Sequence, residues 1–180
     1  GRLCGIYFAD STKLAVCHNR RIHSNKVFKG KAARGKTSTG WFYGLKLFLV
    51  INAFGEIMNA FLTMANVADN HLVTMIKLFS KLKGWAFADK GFINQKAVEE
   101  LLSKGLHLIT GIRRNMKNKL VLMEQKILLQ KRGVIESVND ILKTVCDIEH
   151  TRHRSPINAL VNLYAGLCSY TFLDRLPSIF

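Results

Sequence analysis

Acidic side chains are few in this sequence beside its basic ones. Against 27 Lys and Arg stand 12 Asp and Glu, a net charge of +15 at neutral pH. That imbalance argues for a polyanionic partner. Ribosomal and chromatin proteins reach such a charge through a polar, lysine-rich composition, whereas this chain is 48% hydrophobic and reads as a folded core with a basic surface. A close cysteine pair is also missing. Cys4, Cys17, Cys146 and Cys168 are scattered, which fits neither a zinc site nor a secreted disulfide scaffold and predicts reduced, cytosolic thiols placed mostly in the core. No long hydrophobic run is present. Residues 45–54 are interrupted by Lys46 and Asn52 and followed by Gly55 and Glu56, too short and too polar for a membrane span, and no signal peptide is visible. No membrane partner is expected. The chain begins at Gly1 rather than Met, and its first residues already read as a strand, so a preceding N-terminal portion is expected. No internal repeat or low-complexity linker divides it, and its 180 residues suit one domain spanning 1–180.

Residues 5–16, GIYFADSTKLAV, predict a strand with Ile6, Phe8, Asp10, Thr12 and Leu14 on one face. Asp10 is then an acid within an apolar face, costly unless paired, and a metal is one such partner; a bulge or early turn at Asp-Ser is the alternative. Residues 18–36 are polar and cationic with no nucleotide-loop pattern, and predict a mobile basic loop able to lie along a phosphate backbone or simply be solvated. His18 and His23 lack a third ligand nearby. Residues 41–50 and 57–65 predict a hairpin hinged at Gly55. The following helix is expected to bury Leu72, Met75, Ile76 and Phe79, with Asp69 or Asn70 near its N-cap.

Residues 84–92, GWAFADKGF, predict a short apolar strand ending on Asp89, with Lys90 and Gly91 in the turn. Carboxyl ends of strands line the ligand crevice of open α/β sheets, although an Asp there can equally start a turn. A helix over 94–104 and a strand over 106–110 follow, then a cationic segment, 111–119, containing Arg113 and Arg114. Residues 120–130 predict a strand or irregular edge. The stretch RGVIESVNDILK, residues 132–143, predicts a helix burying Val134, Val138, Ile141, Leu142 and Val145. Arg132, Glu136 and Lys143 stand at i, i+4 and i+11 and project from much the same side, so that Glu136 sits between two cations. Such an acid is a surface ion pair or a metal-ligating carboxylate in a site that handles phosphate. His150, Arg152, His153 and Arg154 follow, an alternation of imidazole and guanidinium that suits phosphate better than metal, or a solvated turn. Residues 156–172 predict an apolar helix packed onto the sheet.

Among the acids, only Asp10 and Asp89 lie within or at the end of apolar strands, and only Glu136 lies on a helix flanked by Arg and Lys on its own face. Three carboxylates from separated elements are what two divalent ions need for phosphodiester chemistry. YFADS at Asp10, ADKGF at Asp89 and the pattern Arg, three residues, Glu, six residues, Lys resemble, in order, the three signatures of DDE-type bacterial insertion-sequence transposases. The continuation through NDILK, IEHTRHRS and Asn158, Asn162, Ala165, Gly166 and Leu167 most resembles the group of insertion sequence nine-eight-two. The resemblance runs from about Tyr7 to the C-terminus.

The resemblance implies an α/β, ribonuclease H-like fold, a mixed central sheet flanked by helices. Asp10 would lie on the first strand, Asp89 after the fourth and Glu136 on a late helix, holding two Mg2+ ions for which Mn2+ would substitute. It implies metal-dependent nicking at transposon ends and attack of the freed 3′-hydroxyl on target DNA, in a homo-oligomeric assembly in the bacterial cytoplasm, on the nucleoid. Arg132 and Lys143 would orient Glu136 and contact DNA, with Lys90, Arg113, Arg114, His150, Arg152, His153 and Arg154 as further DNA contacts. The family often has a Tyr three residues before the Arg, where this chain has Leu129, and it carries an N-terminal region for recognising transposon ends. The alternatives are a truncated, inactive transposase that only binds DNA, and a related metal-dependent nuclease of repair or recombination.

Overall fold

Strand residues that alternate between two apolar faces need cover on both sides, and that requirement organises the molecule. The computed structural model describes residues 1–111, 122–150 and 153–180. At its centre β1 (Ile6–Cys17) runs antiparallel to β3 (Gly40–Asn52) on one side and parallel to β5 (Gly84–Ala88) on the other, with β6 (Leu106–Thr110) parallel beyond β5. The outer edge of β3 is shared by two strands in succession. β2 (Ala33–Thr37) pairs with its first residues, from Gly40 to Gly44, and β4 (Ile57–Met64) pairs with Leu45 onward. The six strands make one mixed sheet, ordered β2-β3-β1-β5-β6 with β4 also on β3.

One face is covered by α1 (Leu72–Leu78) and α2 (Gln95–Ser103), which bury Met75, Leu78, Ala97 and Leu101 against Tyr7, Ala9, Phe48, Val50, Ala86 and Ala88. On the other, Phe8, Leu47, Leu49, Ile51 and Phe87 meet Ile135, Val138 and Leu142 of α4 (Val134–Thr144) and Leu163 and Tyr170 of α5 (Pro156–Thr171). Odd and even residues of β3 thus serve different cores, as the two-residue strand period requires. Leu128 and Leu129 of α3 (Met123–Gln130) pack at the margin of the second core.

Several expectations need correction. The predicted mobile loop contains a 3-10 turn at Asn19–Arg21 and all but the last residue of β2, whose alternation is hidden by Arg34 and Lys36 on a sheet edge. Residues 123–130 form a helix and not a strand. Helix α1 is capped by His71, whose Nδ1 receives the Thr74 N–H at 3.4 Å, so Asp69 and Asn70 stand outside it. Arg132 lies in a 3-10 turn, Lys131–Gly133, ahead of α4, and Val145 is exposed whereas Ile135 is fully buried. The extra strand β2 makes Asp89 follow the fifth strand rather than the fourth. Of the cysteines only Cys17 is buried, and Cys168 is exposed. Arg113, Arg114 and Arg152 lie outside the described residues. Among the described residues no helix is long and apolar enough to cross a membrane.

Helix α5 is not buried all round. Leu163, Gly166 and Tyr170 face inward while Ile157, Val161, Tyr164 and Phe172 are exposed. Gly166 lets the helix close in, because a Cβ there would lie 2.9 Å from the Cys146 carbonyl oxygen. The fully buried Tyr170 hydroxyl donates to the Gly55 carbonyl at 2.8 Å, tying α5 to the β3–β4 turn, and burial pushes its pKa up to about 12. Gly55 adopts φ +78°, which favours glycine. Tyr170→Phe leaves that carbonyl without its donor and is expected to cost about 1–2 kcal/mol, read as a lower urea midpoint at unchanged slope.

Candidate active site

The parallel ladder between β1 and β5 ends with Ala9 opposite Ala88, so the next residue on each strand brings Asp10 level with Asp89. Two residues back, Phe8 and Phe87 stack with ring centroids 5.7 Å apart, an apolar layer beneath the two acids. Asp89 has extended backbone and opens a 3-10 turn, Lys90–Phe92, to which its side chain gives no capping bond. Its carboxylate is therefore not used as a simple turn starter.

Helix α4 lies over the same face because Ile135, Val138 and Leu142 follow its apolar stripe into the core. The stripe also carries Asn139, buried in spite of its amide, whose Nδ2 donates to Asp10 Oδ2 at 3.0 Å. Asn139 Oδ1 is buried and accepts no hydrogen bond from any described residue. Glu136, one turn earlier, has a side chain 63% exposed and accepts from Arg132 at 3.1 Å. The expectation that Glu136 sits between two cations is corrected here. Lys143 pairs instead with Glu149 at 3.1 Å, and the other oxygen of Glu149 accepts the Ala15 backbone N–H at 3.1 Å. This clamp fastens the far end of β1 to the C-terminal end of α4 and occupies Lys143. Leu129, in the place of the family tyrosine, is partly buried against the core under α4.

Burial raises the Asp10 carboxyl to about 6. The Ser11 backbone N–H and the Arg132 guanidinium pull it down, while the charges of Asp89 and Glu136 push it up. Asp10 therefore senses both other acids. A desolvated carboxylate facing two more is a set that a hard cation with oxygen ligands would relieve, and in donor chemistry the three acids fit Mg2+ or Mn2+. The side chains are not drawn together as a cage. Among the described residues no three His, Cys, Asp or Glu groups converge closely enough to hold an ion, since Glu136 is turned outward to Arg132.

On the opposite face of β1, Ser11 donates to Asp69 Oδ1 at 2.7 Å, and the buried Lys46 reaches the same oxygen at 3.0 Å and the Val67 carbonyl at 2.8 Å. Asp69, expected as a cap, is thus the neutralising partner of a buried lysine. The only sequence signal for this network was Lys46 interrupting an apolar strand, and for Asn139 an amide within an apolar stripe. Among the expected DNA contacts, Lys90 and Arg154 are exposed. The rings of His150 and His153 pack at a tilt of 55° with centroids 4.9 Å apart, and burial followed by the charge of His150 lowers the pKa of His153.

The layered mixed sheet has counterparts among known structures. One chain of the simian T-cell lymphotropic virus intasome in complex with PP2A regulatory subunit B56 gamma superposes with a TM-score of 0.53 at 14% identity, over 98% of this chain and 52% of that one. A piggyBac transposase, in its synaptic complex with hairpin DNA, superposes with a TM-score of 0.56 at 10% identity, over 93% of this chain and 46% of that one. The chain thus spans about half the length of these relatives, and the fold is ribonuclease H-like. The family model for the transposase DDE domain matches residues 1–156, and the chain belongs to that family. Comparison with curated proteins finds no match.

The Asp10 carboxyl carries a pH prediction. Its folded pKa of about 6 lies above the unfolded value near 3.8, so its contribution to stability is complete below about pH 4 and is lost as pH rises through 6. In metal-free buffer Asp10→Asn is expected to stabilise the chain at pH 8, by at most about 3 kcal/mol, and to have no effect at pH 4, read from thermal midpoints. Asn139→Ala removes a donor to the charged form and should move the pH midpoint of this transition upward.

Proposed function

We propose that this domain nicks DNA at transposon ends in a divalent-metal-dependent reaction and transfers the freed 3′-hydroxyl to target DNA. The observation that carries the reading is the strand register that brings Asp10 level with Asp89 beneath the helix bearing Glu136. Membership of the transposase DDE domain family supports it. Asp10, Asp89 and Glu136 would hold two Mg2+ or Mn2+ ions, which when bound activate the attacking oxygen and stabilise the leaving one. Asn139 holds Asp10 in place through its 3.0 Å bond. Arg132 holds Glu136 and, through its charge, keeps Asp10 more acidic than burial alone would allow.

The DNA backbone runs over the basic rim. Lys90 sits beside Asp89, and His150, His153 and Arg154 lie beyond the C-terminal end of α4, while Arg113, Arg114 and Arg152, outside the described residues, are further candidate contacts. Lys143 reaches phosphate only by leaving Glu149. Two copies or more would bring two transposon ends together, a reading in keeping with structural neighbours seen in an intasome and in a synaptic complex with hairpin DNA.

The test is nicking and strand transfer on labelled transposon-end DNA with Mg2+ or Mn2+, comparing the unmodified chain with Asp89→Ala and Glu136→Ala. Loss of a carboxylate that holds the cation removes several kcal/mol of transition-state stabilisation, so both variants are expected to fall by about a hundredfold or more. Binding without cutting, by this chain and by one extended at its N-terminus, would instead establish the inactive DNA-binding alternative.

A further inference from the structure

Beside the 3-10 turn that follows Asp89 lies an open cleft of about 400 Å³, lined by Arg34, Lys36, Trp41, Asn66, Asn70 and Gly91, among others. Trp41 is 62% exposed and belongs to none of the apolar clusters, although an indole is among the side chains most worth burying. Its backbone is held in place, because Asn19 Nδ2 donates to the Trp41 carbonyl at 2.7 Å. Lys36 stands opposite it in the β2–β3 ladder, with Nζ 5.6 Å from the ring centroid, and Arg34 is two residues along the same strand.

The single acid in the lining does not oppose an anion. Asp69 already accepts from Lys46 and Ser11 and is neutralised within the wall. Gly91 brings the turn close to it, since a Cβ there would lie 3.1 Å from Asp69 Oδ2. The cleft therefore offers one flat aromatic face, two exposed cations and two amide side chains, directly against the turn that positions Asp89. Its size is that of a small-molecule site.

We propose that this cleft binds an unpaired nucleotide of DNA, its base stacked on Trp41 and its flanking phosphates on Arg34 and Lys36. A paired base has both faces covered by its neighbours and cannot stack on an indole, whereas an unpaired one can, whatever its identity. An apolar protein segment would find cationic and amide groups here in place of a hydrophobic floor. The inference rests on the DNA-processing reading of Asp10, Asp89 and Glu136 and adds to it a place where the strand is held open against the 3-10 turn that follows Asp89, on the face of β1 opposite Asp10.

The experiment measures binding of a short labelled oligothymidylate, and of a duplex of the same length, in the presence of a chelator. Trp41→Ala is expected to weaken oligothymidylate binding roughly five- to a hundredfold and duplex binding by less than about twofold, while Trp41→Phe keeps most of the affinity. Lys36→Ala should lower the salt dependence of oligothymidylate binding by about 0.7 in log–log slope. Bound oligothymidylate should quench indole emission in the unmodified chain and not in Trp41→Phe, which retains Trp85. Unchanged oligothymidylate affinity in Trp41→Ala, or equal losses for single and double strands, overturns the proposal. Because no cutting is needed, the two readings fail separately. Metal-dependent nicking without a Trp41 effect removes the cleft and leaves the active site, and Trp41-dependent binding without nicking does the reverse.

Discussion

The parallel pairing of β1 with β5 is the constraint on which the rest of the site depends. Two strands far apart in sequence are held in a register where Ala9 faces Ala88, and the stacked rings of Phe8 and Phe87 fix which side of the sheet the next side chains take. A slip of one residue would send one of the two acids to the opposite face. Apolar packing below the site, and not any contact between the acids themselves, sets their neighbourhood. Like charges would drive the acids apart were the strands free to respond.

Helix α4 then works in two ways at once. Its apolar stripe is buried against the sheet, and because the stripe is fixed, so are the side chains at its margin. Asn139 meets Asp10 with one half of its amide, while among the described residues the other half has no partner, which is costly in a protein interior. Arg132 draws Glu136 outward. The arrangement leaves a partly buried acid with a raised pKa and the third acid at the solvent boundary, a set whose mutual repulsion a multivalent cation would relieve.

Fold class was legible because two-faced alternation and an apolar strand stopping on an Asp are local patterns. Asp10, Asp89 and Glu136 stood out as candidates for the same reason, each being an acid in a conspicuous context. Strand β2 was not, because an edge strand with one solvated face can carry Arg34 and Lys36 and look like a loop. Helix α3 was missed because its two leucines, Leu128 and Leu129, are adjacent and give no clear helical period. The roles of Asn139, Lys46, Asp69 and Glu149 were hidden for another reason. Each depends on a partner tens of residues away, and nothing in the spacing of a single segment records a contact between segments. Lys143 shows the converse, since helical spacing assigned it to Glu136 while Glu149, beyond the helix end, holds it.

The family match ends at residue 156, where α5 begins. Yet α5 supplies Leu163 and Tyr170 to the core it shares with α4, and the hydroxyl of Tyr170 ties down the turn between β3 and β4. A protein trimmed at the limit of sequence likeness would be split along a hydrophobic seam, with the outer flank of the Glu136 helix laid open to water. Residue 156 is where the family model stops, and the packed core crosses it.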